Sequence, residues 1–113
     1  MNLFIDDIRD PDWNEVLASG IDPTKPWVIA RNSAEAKAFV LAHGMPTALA
    51  LDHDLGELED GTIDTVPDFL KWLAYDYWTN EPVPEYTIHS SNPAGCWNMK
   101  AFMESWKKSA LAT

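Results

Sequence analysis

Four short apolar runs alternate with segments of helical periodicity, and no other feature of the chain restricts its fold as much. The runs are "NLFI" (2–5), "WVIA" (27–30), "TALAL" (47–51) and "YTIH" (86–89). Strands that alternate with helices form a parallel sheet with right-handed crossovers and helices on both faces. The expectation is therefore an α/β fold with a four-stranded parallel sheet in the order 2-1-3-4. Between and after the strands, local signals mark four helices. Asp10-Pro11 starts a short one, with Pro at the first helical position and Trp13, Val16 and Leu17 before Gly20. Asn32 and Glu35 have capping-box spacing and open a second that runs to His43-Gly44. Thr65 and Asp68 cap a third, whose apolar face is Phe69, Leu70, Leu73 and Tyr77. Asn92-Pro93 opens the last, with Met99, Phe102, Met103 and Trp106 on one stripe. "GELEDGTID" (56–64) reads as an acidic, solvated loop placed to act as a lid.

Composition narrows the function classes. The 113 residues suffice for one core, so residues 1–113 are expected to form a single domain. A hydrophobic content of 46% and six tryptophans exclude a disordered chain. No apolar run approaches the ~18 residues of a membrane span, and the acidic start "MNLFIDDIRD" is unlike a signal peptide. The single cysteine, Cys96, suits a reducing cytoplasm. A formal net charge of −10 opposes an extended nucleic-acid surface, which needs lysine and arginine. It leaves room for a small phosphate ester or an RNA end held at one focused site, and for a protein partner.

The polar residues gather at the ends of the strands. Asp6-Asp7 follows the first, Asp52-His53-Asp54 the third, and His89-Ser90-Ser91-Asn92 the fourth. Ligands of open α/β sheets bind outside these carboxyl ends. Two carboxylates ~4 Å apart repel by about 4 kcal/mol at an effective dielectric of 20. Asp6, Asp7 and Asp52 therefore need a proton or a cation among them, and hard oxygen donors suit Mg²⁺ or Mn²⁺. Asp54, two positions beyond Asp52, is a fourth candidate ligand. The "HSSN" turn combines hydroxyls, an amide and a helix N-terminus, a seat for an anion, with Ser90, Ser91 and Asn92 as phosphate ligands. A cation seat beside an anion seat points to a phosphate ester. His89 or His53 would protonate the leaving oxygen. His89 adjoins the anion seat and is favoured as that acid or as a phosphate ligand; His53 alternates away from Asp52 and is favoured in a supporting role. Beside these readings stand plainer ones, in which the acids end strands and cap turns, and the histidines pack.

Taken together, "LFIDD", "LDHDLG" and "TIHSS" resemble a receiver domain, the phospho-acceptor module of two-component signalling. Asp6 and Asp7 match its acidic pair, Asp52 its acceptor, and Ser90 or Ser91 its hydroxyl. The fifth strand, with its lysine, is missing. The fuller resemblance is to the cyclic-phosphate-processing receiver domain, whose pattern stands here as "IDDIRDP", "LDHDLG" and "HSSNPAG". That resemblance implies a receiver-like (flavodoxin-like) three-layer sandwich and a metal-assisted activity on cyclic or terminal phosphates, including RNA ends. The expected function is a phosphoesterase in which Asp6, Asp7 and Asp52 hold the metal and a water attacks phosphorus. The alternative is a non-catalytic acidic interaction protein of the kind that mimics DNA or blocks a host factor. A true phospho-acceptor would need the missing lysine.

Overall fold

The computed structural model describes residues 1–111. Its main sheet is built from β1 (Asn2–Ile5), β2 (Trp27–Ala30), β3 (Ala48–Leu51) and β6 (Glu85–Ile88), all parallel and in the order β2-β1-β3-β6. This is the expected order, and β6 is the fourth expected strand. Ile5 lies opposite Ala30 on one side and Leu51 on the other, and Leu51 opposite Ile88, so the strands end level with one another.

Side chains of a strand alternate between faces, and the two faces are covered unequally. Leu3, Ile5, Leu49 and Leu51 pack under α2 (Ser33–His43), α3 (Val66–Lys71) and α4 (Pro93–Leu111). Those helices supply Phe39 and Val40, Phe69 and Leu70, and Met99, Met103 and Trp106. On the opposite face Phe4 and Ala50 are covered by Val16 of α1 (Asn14–Leu17), by Ile21, and by Trp27 at the start of β2.

The helices depart from expectation in instructive ways. α1 is one turn long and begins at Asn14; Pro11 lies in the preceding turn, where the Asp10 carbonyl accepts from Trp13 N at 3.2 Å. In α2 the Asn32 side chain accepts from Glu35 N at 2.8 Å as foreseen, but the Glu35 carboxylate reaches back to Arg31 N at 2.9 Å. Thr65 stands at the N-cap of α3 with no side-chain cap bond. Beyond Lys71 the helix widens into a π-helical turn over Trp72–Tyr77, ending where Trp78 N reaches the Leu73 carbonyl at 2.8 Å. Trp72 packs against Phe69 and Tyr77, and Trp78 against Trp106, so both help to close the core.

The acidic segment expected as a loop is a hairpin. β4 (Asp54–Glu57) and β5 (Ile63–Thr65) pair antiparallel, with Leu58 N on the Thr62 carbonyl at 2.7 Å and Gly61 at φ 85° in the turn. Leu55 anchors it in the larger core. Asp64, also buried, accepts from Ser33 N at 2.9 Å and Ser33 Oγ at 2.6 Å, which ties the hairpin to the start of α2. Among the described residues no helix is long and apolar enough to cross a membrane.

Candidate functional site

The sheet ladder runs one residue past each of three strands. Asp6 N donates to the Ala30 carbonyl at 3.1 Å, Asp52 N to Ile5 at 3.0 Å, and His89 N to Leu51 at 2.9 Å. Backbone bonding therefore fixes these residues side by side at the carboxyl edge, on the face that carries Phe4 and Ala50. All three are buried. One carboxylate oxygen from each of Asp6, Asp7 and Asp52 lies within 4.8 Å of the others.

Asp6 is held by four donors. Its Oδ1 accepts from Ile8 N at 2.9 Å and Arg9 N at 2.8 Å. Its Oδ2 faces His89 Nε2 at 3.0 Å and Arg9 Nη1 at 3.3 Å. Burial pushes this carboxyl upward, but the His89 bond and the two backbone N–H groups outweigh it and hold the pKa down at about 2. Asp52 is shifted the other way. Burial raises its pKa; the His53 N–H bond resists, the Asp6 charge adds to the rise, and Arg9 and His89 oppose it. The Arg9 guanidinium spans the cluster, with Nη1 3.6 Å from Asp52 Oδ1 and Nε 3.5 Å from Glu15 Oε1.

The other expected residues are placed differently. Asp54 is not one of the three clustered carboxylates: it turns outward on β4, and its Oδ1 meets His53 Nδ1 at 2.8 Å. The His53 ring lies flat on α4, where a Cβ at Gly95 would sit 2.4 Å from its Cδ2. His53 thus packs between hairpin and helix. The His89 side chain is fully buried. Its ring stacks on Phe4 at 4.9 Å with 4° between planes, its Nε2 is engaged by Asp6, and its buried Nδ1 has no hydrogen-bond partner among the described residues. In the "HSSN" turn, Ser90 Oγ accepts from Asn92 N at 3.1 Å, and the Asn92 side chain accepts from Gly95 N at 3.0 Å. Asn92 is therefore the N-cap of α4, and Ser91 is the exposed member of the set. The half-buried Cys96 thiol donates to the Ser90 carbonyl at 3.2 Å and braces the turn.

A family model described as the cyclic-phosphate processing receiver domain matches residues 1–105. The chain belongs to this family. No curated protein and no solved structure matches it. The match of this cyclic-phosphate processing receiver domain begins before Asp6 and extends through the "HSSNPAG" turn into α4, so every strand-end residue described above lies inside it.

Sequence reasoning gave Arg9 no role, although it stands inside "IDDIRDP". The signal was available: it is a basic residue three positions after a strand-end aspartate, within reach of that carboxylate once the chain turns. Arg31, just past β2, was also passed over. Its Nη1 donates to the Asp6 carbonyl at 3.3 Å and its Nη2 to Asp10 Oδ1 at 2.6 Å, which pins the loop that carries Arg9.

Proposed function

We propose that this protein is a metal-assisted phosphoesterase acting on a cyclic or terminal phosphate, in a cyclic nucleotide or at an RNA end. One observation carries the reading: the oxygens of Asp6, Asp7 and Asp52 converge at the strand ends in a chain of the cyclic-phosphate processing family. The donor set fits a hard divalent cation, being three carboxylates with two of them buried. A positive group, the Arg9 guanidinium, already lies among them as a stand-in for such an ion. Mg²⁺ or Mn²⁺ held by these residues would supply the positive charge that gathers phosphate oxygens and stabilises the expelled one.

The remaining roles belong to the chain. His89 keeps Asp6 ionised and fixed, and so acts as a positioning residue. Ser90 accepts a bond from Asn92 N, which leaves its hydroxyl proton free for a phosphate oxygen, and Ser91 adds a second hydroxyl beside it. Asn92 holds the turn by capping α4.

Asp52→Asn tests the reading. It is expected to weaken Mg²⁺ and Mn²⁺ binding in calorimetric titration and to remove turnover of 2′,3′-cyclic nucleotides, cyclic oligonucleotides or end-phosphorylated RNA. The same variant is expected to melt higher than the parent without metal, because burial, which raises the Asp52 pKa, disfavours the charge that the variant lacks. Equal metal affinity in variant and parent would overturn the metal assignment. A parent that turns over none of these substrates, with or without Mg²⁺, would favour the non-catalytic interaction protein.

A further inference from the structure

The cluster of acids carries its own cation, and that cation lies where a metal would have to go. We propose that Arg9 is the resident counter-ion of Asp6 and Asp52, that a divalent ion displaces its guanidinium toward Glu15, and that the displaced guanidinium becomes a ligand for the phosphate. This rests on the metal reading above and gives Arg9, which there only marks where the ion would lie, a role of its own.

Asp6 Oδ1 is taken by two backbone N–H groups, and Oδ2 by His89 and Arg9. An ion that binds Asp6 must therefore displace a donor. The backbone N–H groups are set by the turn, and His89 is clamped against Phe4 with its side chain fully buried. Arg9 is the donor that can leave. Its contacts at 3.3 and 3.6 Å are longer than the ~2.7–2.9 Å of a tight charge-assisted bond. It also has somewhere to go, since its Nε already lies 3.5 Å from Glu15, whose side chain is 54% exposed.

Electrostatics favours the exchange. A divalent ion and a guanidinium ~4 Å apart repel by about 8 kcal/mol at an effective dielectric of 20, which offsets most of the guanidinium's attraction to the same two carboxylates. Once outside, the guanidinium offers a planar fork that suits phosphate oxygens. The protein's other arginine, Arg31, is engaged with Asp10 and the Asp6 carbonyl and stays where it is.

Because Arg9 and Arg31 are the chain's two arginines, their side-chain Nε–H groups give a two-signal nitrogen–proton spectrum, assigned with Arg9→Lys. Titrating the wild-type protein with Mg²⁺ is expected to shift the Arg9 signal, saturating together with the calorimetric binding curve, while the Arg31 signal stays in place. Arg9→Gln is expected to bind Mg²⁺ and Mn²⁺ about tenfold more tightly, at the low end for a charge-assisted contact. At saturating ion it is expected to bind inorganic phosphate about tenfold more weakly, by the same measure. An Arg9 signal unmoved at saturating Mg²⁺ overturns the displacement and leaves the metal reading standing. Unchanged phosphate affinity in Arg9→Gln overturns the phosphate role. Absence of any heat or shift with either ion removes both the metal reading and this one. If Arg9→Gln does not fold, the wild-type spectrum still decides both parts: inorganic phosphate added at saturating Mg²⁺ is expected to move the Arg9 signal again, and a signal that phosphate leaves unmoved overturns the phosphate role.

Discussion

Asp6 stabilises the folded chain at neutral pH, and the direction follows from its pKa. The ordinary value of 3.8 falls to about 2 in the folded protein, a difference worth about 2 kcal/mol. The folded state is favoured by this amount above pH 3.8 and loses it as the pH falls from there through about 2. Asp52 runs the other way. Its raised pKa makes protonation favour the folded chain, so stability is gained as the pH falls toward 3.8. Asp6→Asn is expected to lose about 2 kcal/mol in urea titrations near neutral pH without metal. The gap to the parent should close as the pH is lowered through about 2. A gap that persists in acid would show that lost packing, not lost charge, destabilises the variant. The grouping of Asp6, Asp7 and Asp52 was legible in the sequence because parallel strands that end level bring their last residues together. The Asp6–His89 bond was not, since it joins positions 83 apart and no local pattern encodes such a pairing.

At the scale of elements, α4 comes close to the β3–β4 junction at Gly95, which faces the His53 ring. In a helix Ala is normally better than Gly by about 1 kcal/mol. Here its Cβ would lie 2.4 Å from His53 Cδ2, and overpacking of this kind typically costs about 1–3 kcal/mol. Gly95→Ala is therefore expected to lower the melting temperature in the parent and to raise it in a His53→Ala background. A change of the same sign in both backgrounds would mean that the ring is not the obstacle. The sheet was legible because each strand is an apolar run with a polar end. The β4–β5 hairpin was not: only Leu55 and Ile63 mark it, set among acids and two glycines that read as loop. Its inward residue, Leu55, and the Asp64 cap on α2 declare themselves only in three dimensions. The π-helical turn was equally hidden, since six residues are too few for a periodicity to distinguish it from an α-helix.

For the whole molecule, a net charge of −10 lies within a Cα radius of gyration of 13.3 Å. At ~0.01 M salt the screening length is about 30 Å, so the acids repel across the entire fold; at ~0.1 M it is about 10 Å. Raising NaCl over this range is expected to raise the melting temperature. MgCl₂ at matched ionic strength should raise it further in the parent but not in Asp52→Asn. Equal increments in both proteins would mean that Mg²⁺ acts only by screening. The unequal covering of the sheet has another consequence. The carboxylates stand at the carboxyl edge of the thinly covered face, which is packed by a single helical turn and its flanks, and the large core lies on the other face. Local opening of the thin face admits solvent and ions while the core under α2, α3 and α4 stays closed. Access to the chemistry and cohesion of the fold are thus governed by different stretches of chain, and each is free to change in evolution without the other.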